Sequence, residues 1–166
     1  MKNEIVLALD QALKITGWSL YKDSKLIEVG NFSISASLPI ERRLVLLWHK
    51  LNELYAEYKF SILVFEDIQL QGNAETYKKL AYVQASIILW CYNQDIEFHI
   101  LSPSHWRSVI KKHCGVSFGR SRKEQKKTAQ DFVNDKFDMQ LSEDEADSVC
   151  IGYAYLLEKD NKEGAF

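Results

Sequence analysis

An α/β fold, built on a mixed five-stranded sheet with helices on both faces, is what this sequence predicts. Five short apolar runs are spaced along the chain. The first three are joined by turns too short for a crossover, so they form an antiparallel meander. The last two alternate with long amphipathic stretches, the pattern of parallel strands joined by helices. With 166 residues, the chain is expected to fold as one domain, residues 1–166.

Residues 4–10, EIVLALD, are apolar almost throughout, as in a strand covered on both faces. Residues 11–15 read as a turn and 16–21, TGWSLY, as the second strand. Asp23-Ser24-Lys25 is a turn signal, after which residues 25–34 alternate as the third strand. Pro39 opens a long helix reaching residue 58, with Leu44, Leu47, Trp48, Leu51, Leu54 and Tyr55 at helical spacing. SILVFE, residues 61–66, is a buried strand. The polar turn QLQGN leads into a second helix over residues 74–93, and EFHIL, 97–101, is the fifth strand. Pro103 begins a third helix, a basic loop follows, and residues 122–136 are helical. A last helix runs from Ser142 to residue 158.

Composition excludes several classes. Content of 46% hydrophobic and 27% charged residues is that of a soluble globular protein. No apolar run is long enough to span a bilayer, so no membrane partner is expected. The start, MKNEIVLALD, puts an acid inside what would be the apolar region of a signal peptide, which predicts no secretion signal and a cytoplasmic location. Cys91, Cys114 and Cys150 are widely spaced without a CxxC pair, so reduced thiols are expected and a zinc site is not.

Charge is unevenly spread. Between Ser104 and Lys127 stand Arg107, Lys111, Lys112, Arg120, Arg122, Lys123, Lys126 and Lys127 against the single acid Glu124. That segment carries about +7 in a chain of net charge −2, a local field suited to a polyanion such as nucleic acid.

Four acids stand where chemistry is usually done. Asp10 closes the first strand and Glu66 the fourth, and sites in open α/β sheets lie outside strand ends. Asp144 and Asp147 are three apart on the last helix, on a stripe that continues through Ile151, Ala154 and Tyr155. Ser142 is a candidate N-cap with Glu145 at the capping-box position, and Glu143 suits the helix dipole. Neither role accounts for Asp147. A partly buried carboxylate needs a cation or hydrogen bonds to offset its desolvation. Oxygen-only ligation by four carboxylates suits Mg²⁺ or Mn²⁺, and two such ions can drive phosphodiester hydrolysis.

The motifs resemble those of RuvC-type Holliday-junction resolvases. LALDQALKITGWSL resembles their first motif, D-P-G-x-x-x-T-G, VFEDIQ their second acidic motif, and DEADSVCIG their terminal D-x-x-D helix. The resemblance covers nearly the whole chain. It implies a ribonuclease H-like fold, a homodimer, and Mg²⁺-dependent nicking of DNA, with Mn²⁺ able to substitute, that leaves 5′-phosphate and 3′-hydroxyl ends. It implies that Asp10, Glu66, Asp144 and Asp147 are metal ligands. Arg107, and Lys123 in GRSRKEQ, match the family's basic residues beside the site. The small size and divergence resemble a bacteriophage-encoded member, acting in the bacterial host cytoplasm.

The departures are informative. The motif's Pro-Gly is Gln11-Ala12 here, which loses a close-approach glycine, whereas Thr16 and Gly17 are kept. Where many bacterial resolvases carry an aromatic three residues after the second acid, this chain has Gln69, implying a broader preference for branched DNA. From Leu80 to Tyr92 the second helix is apolar nearly all round, which, with the resemblance, predicts a dimer interface.

The expected function is therefore a metal-dependent endonuclease acting on four-way junctions and forks. Asp10, Glu66, Asp144 and Asp147 would bind two ions, and Lys123 and Arg107 would neutralise phosphate charge. Lys111, Lys112, Arg120, Arg122, Lys126, Lys127 and Gln69 complete the expected DNA contacts. Two alternatives stay open, an RNA-directed nuclease of the ribonuclease H superfamily and a branched-DNA adaptor that does not cut. The four tryptophans read as core or interface residues, with Trp106, beside Arg107, also placed to touch DNA.

Overall fold

The computed structural model describes residues 3–70 and 72–164. Gln71, in the expected polar turn, lies outside the described residues. Strands β1 (Ile5–Asp10), β2 (Ile15–Lys22) and β3 (Lys25–Ser33) come first. They are followed by α1 (Ile40–Tyr58), β4 (Ile62–Glu66), α2 (Ala74–Gln94) and β5 (Glu97–Leu101). Helices α3 (Pro103–Cys114), α4 (Arg122–Phe137) and α5 (Glu143–Glu163) complete the chain. The strand order is β3-β2-β1-β4-β5. The β1–β2 and β2–β3 pairs are antiparallel and the β1–β4 and β4–β5 pairs parallel, which is the mixed sheet the sequence predicts.

Local chemistry accounts for the joints. Lys22 pairs with Lys25, so Asp23 and Ser24 alone make the β2–β3 turn. Both have positive φ, the twist a two-residue hairpin needs and one an Asp tolerates. Ser142 caps α5 through Glu145, with the reciprocal bond present, as the sequence indicates. The same box, Ser121 with Glu124, opens α4. Helix α5 continues past residue 158 to Glu163, where Lys159 ion-pairs with Glu4.

The sheet separates two cores, and the period-two alternation of its central strands decides which residue enters which. Leu7 and Leu9 of β1, with Leu63 and Phe65 of β4, pack beneath α1 and α2 against Leu51, Ile87 and Trp90. Val6 and Ala8, with Ile62 and Val64, face the other way, against Trp106, Val133 and Ile151 of α3, α4 and α5. Continuing that alternation by one step sends Asp10 and Glu66 to the α5 side of the sheet.

Helix α5 lies unusually close to β2. A Cβ at Gly17 would stand 2.0 Å from the Asp144 carbonyl oxygen, and one at Gly152 would stand 2.5 Å from the Tyr21 ring. The Ser19 hydroxyl donates to the Ser148 carbonyl at 2.9 Å, and the Tyr21 hydroxyl to that of Val149 at 2.7 Å. Gly17 of the T-G pair is thus the point at which the sheet admits the start of α5.

Helix α2 is covered on one side only. Val83, Ile87, Trp90 and Cys91 are buried, whereas Tyr82, Leu89 and Tyr92 are 42%, 61% and 75% exposed. Indole hydrogen bonds from Trp48 to Ser86 and from Trp90 to Asn52 tie α2 to α1. Among the described residues, no helix is long and apolar enough to cross a membrane.

Candidate active site

The four acids come from three elements and line one cleft of about 420 Å³. Asp10 ends β1, Glu66 ends β4, and Asp144 and Asp147 occupy the first two turns of α5. Gly17 allows α5 to start directly over the β1–β2 pair, which brings the helical acids to the strand-end acids. Asp10 is 8% and Asp147 5% exposed, so the charge on both is largely cut off from water.

Lys126 answers that charge most directly, with Arg107 also drawing Asp147 down. The Lys126 ammonium of α4 lies 3.4 Å from Asp10 Oδ2 and 3.7 Å from Asp144 Oδ1, and it hydrogen-bonds Asp147. Burial, reinforced by the charge of Asp147, still pushes the Asp10 carboxyl well above the usual carboxylate range, against the pull of Lys126. Burial likewise raises Asp147, although Lys126 pulls it down. Desolvation alone would lower the Lys126 ammonium, but Asp10, Asp147 and Asp144 together raise it, so it stays charged. One lysine does not fully balance three acids.

Glu66 is held differently. The Trp106 indole donates to Glu66 Oε2 at 2.7 Å. Burial raises its carboxyl, and the indole hydrogen bond opposes the shift. Trp106 itself is fully buried, which corrects the expectation that it touches DNA; its polar edge serves Glu66 instead. The Arg107 guanidinium lies over the Trp106 ring, 4.9 Å from its centroid. Its Nε is buried and has no hydrogen-bond partner among the described residues.

The predicted basic residues divide. Arg107, Arg122 and Lys126 line the cleft, and so does Gln69. Lys123 does not line it. It matches the motif in sequence, but Lys126, one helical turn further on, is the residue that reaches the acids. Lys111, Lys112, Arg120 and Lys127 are exposed away from the cleft, with Lys127 paired to Asp131 at 2.8 Å and Lys112 beside a separate hollow between α3 and α5. A signal for Lys126 was present in the sequence. Arg122, Lys126, Ala129 and Val133 share one stripe of α4, and its last two members are wholly buried.

Two further side chains have roles at the site that the sequence reading did not assign. Gln11 lines the cleft and hydrogen-bonds the backbone of Glu66. Gln125 donates to the Gly119 carbonyl at 3.0 Å and ties the basic loop to α4 beside Lys126.

The donor set is all oxygen, and the point among Asp10, Asp144 and Asp147 already attracts a cation in the form of Lys126. That chemistry fits hard divalent ions. Among the described residues, no three acids form a ready-made metal cage.

Comparison with known proteins agrees with these motifs. A sequence model of the family "Crossover junction endodeoxyribonuclease RuvC" matches residues 6–152. The crossover junction endodeoxyribonuclease RuvC of Rickettsia typhi is 26% identical over 159 residues, covering 93% of this chain and 98% of its own. That of Caldicellulosiruptor saccharolyticus is 21% identical, covering 92% of each. Among solved structures, Thermus thermophilus RuvC in complex with a Holliday junction substrate superposes with a TM-score of 0.71 at 10% identity, covering 95% of this chain and 96% of its own. The yeast mitochondrial Holliday junction resolvase superposes at 0.67 and 16% identity, covering 98% and 82%. At such identities the structural matches establish a shared fold.

The raised carboxyls carry a testable sign. A carboxyl whose folded pKa is raised stabilises the fold while protonated; that contribution is complete below its ordinary value, 3.8 for Asp10, and lost as pH rises through the higher folded value. In EDTA, Asp10→Asn is therefore expected to melt a few degrees above wild type at neutral pH, the gap closing as pH falls through the raised Asp10 value. Calorimetry across that range checks it, and a variant melting below wild type at neutral pH would contradict it.

Proposed function

The chain belongs to the family of the crossover junction endodeoxyribonuclease RuvC, and on that premise we propose that it is a divalent-metal-dependent endonuclease that nicks four-way junctions and other branched DNA. The observation that carries this reading is the convergence of Asp10, Glu66, Asp144 and Asp147 on one cleft, around a cation, with Arg107 and Arg122 in its wall. We take the whole chain to act as one nuclease domain in the bacterial cytoplasm.

Asp10, Asp147, Asp144 and Glu66 would hold two Mg²⁺ ions, with Mn²⁺ able to substitute. When bound, such ions supply Lewis-acid activation of water and charge stabilisation at the leaving oxygen, the chemistry of hydrolysis to 5′-phosphate and 3′-hydroxyl ends. The chain's own residues do the rest. Trp106 fixes the Glu66 carboxylate by its indole hydrogen bond. Arg107, held over the Trp106 ring in the wall of the cleft, would take a phosphate oxygen through its guanidinium. Displaced from the acids, the Lys126 ammonium would still lie in the cleft to counter charge developing on the phosphate. Gln69 offers amide donors and acceptors where an aromatic would offer a wedge, consistent with tolerance among branched substrates.

A twofold dimer through α2 would present two such clefts to one junction. Its support is the exposed row Tyr82, Leu89 and Tyr92, with Val45 and Leu46 of α1 also exposed. In sedimentation, wild type is expected to run as a dimer and Leu89→Asp as a folded monomer. A wild-type monomer would remove this part of the proposal.

The activity itself is tested on a labelled four-way junction, a fork, a linear duplex and an RNA–DNA hybrid, with Mg²⁺ or EDTA. Wild type is expected to cut the junction and fork only with the metal. Asp144→Asn should lower the rate by at least about a hundredfold while leaving junction binding intact. Junction binding by wild type without cutting would instead identify an adaptor. Cutting confined to the hybrid would identify an RNA-directed nuclease.

A further inference from the structure

The β1–β4 ladder stops one step short of the acids. Its pairs run from Val6↔Ile62 to Leu9↔Phe65, leaving Glu66 without a β1 backbone partner. The Gln11 side chain occupies that place. Its Nε2 donates to the Glu66 carbonyl, and its Oε1 accepts the Glu66 N–H at 3.2 Å. Gln11 is 8% exposed, so these bonds form in the absence of bulk water.

The two bonded groups flank the Glu66 Cα. Holding both the N–H and the carbonyl of one residue restrains φ and ψ on either side of that Cα and so fixes the direction of its Cα–Cβ bond. Trp106 then fixes the other end of the side chain through Oε2. On the β5 side of β4, the Asp67 N–H donates to the Leu101 carbonyl at 2.9 Å, and beyond it the Ile68 N–H donates to Gln84 Oε1 at 3.1 Å. The segment after β4 is therefore tied on both edges, and Gln11 is the tie on the Asp10 side. Gln11 immediately follows Asp10 in sequence, so the clamp also couples the position of one acid to that of the other.

We propose that Gln11 is a positioning residue of the metal site, one whose carboxamide continues the β1–β4 ladder by a step and presents the Glu66 carboxylate to the divalent ions held with Asp10. A proline or glycine at this position has no side chain able to do this. The inference rests on the reading of Glu66 as a metal ligand, and its test separates the two.

Mn²⁺ is titrated by calorimetry into DNA-free wild type, Gln11→Met, Glu66→Gln and the double variant, with melting curves in EDTA verifying the fold. Gln11→Met keeps the side-chain length and removes the amide. It is expected to weaken Mn²⁺ binding about ten- to a hundredfold, as loss of an outer-shell partner does, while junction affinity in EDTA is unchanged. Because Gln11 acts through Glu66, the double variant should bind Mn²⁺ no more weakly than Glu66→Gln. Should Gln11→Met not fold, Gln11→Asn, too short to span both groups, should show the same loss. Amide exchange gives a direct readout, with the Glu66 N–H protected in wild type and exposed in either Gln11 variant. Wild-type Mn²⁺ affinity in the Gln11 variants, additive losses in the double variant, or an unprotected wild-type Glu66 amide would each overturn the proposal. Unchanged Mn²⁺ binding by Glu66→Gln would overturn the ligand reading beneath it.

Discussion

Buried negative charge is the constraint around which this molecule is arranged. Asp10 and Asp147 are nearly cut off from water, burial raises the carboxyls of both, Asp147 raises that of Asp10 further, and Asp144 adds to the load on each. An uncompensated cluster of this kind is costly in a medium that cannot solvate it. The chain meets the demand in part with Lys126, which approaches three of the acids at once. Because the balance is incomplete, the cleft retains an attraction for further positive charge. The proposed metal-dependent activity needs such an appetite for cations, and here it follows from burial that Lys126 and Arg107 offset only in part.

The geometry that concentrates this charge comes from ordinary packing rules. Alternation along β1 and β4 sends Asp10 and Glu66 to the same face of the sheet, one step after the apolar pairs that bury the strands. Helix α5 must then approach closely enough for its own acids to join them. Gly17 and Gly152 clear the space, and the hydroxyls of Ser19 and Tyr21 grip carbonyls of the helix. The dry contact between α5 and the sheet thus does two things at once. It builds the core, and it sets the spacing of the acids to within the tolerance of packed side chains.

Much of this was legible in the residues. The strands, their order of appearance and the Ser142–Glu145 capping box follow from local periodicity and turn chemistry, because apolar alternation and short polar joints act over neighbouring residues. The four acids were legible because two stand where buried strands end and two share a stripe that becomes core. The partners of those acids were not, because they depend on contacts between segments remote in sequence. Lys126 lies 116 residues from Asp10 in sequence, and only the buried stripe through Ala129 and Val133 hinted that it faced inward rather than towards solvent. Lys123 drew attention by matching a motif, yet a shift of one turn along α4 decides which lysine enters. Gln11 reads in sequence as a loss, a missing proline and glycine, whereas in three dimensions its amide takes up backbone groups that the ladder leaves unpaired. Trp106 is the core residue the sequence indicates, but the partner of its one polar atom, Glu66, was not legible.

The central claim is that Lys126 holds the place of divalent ions among these acids. The most direct measurement is an anomalous difference map from crystals of the protein grown with Mn²⁺. Strong peaks within ligand distance of Asp10 and its neighbouring carboxylates, with the Lys126 ammonium moved away from Asp147, are the expected result. Lys126 remaining between Asp10 and Asp147, with no peak beside them at saturating Mn²⁺, would contradict it.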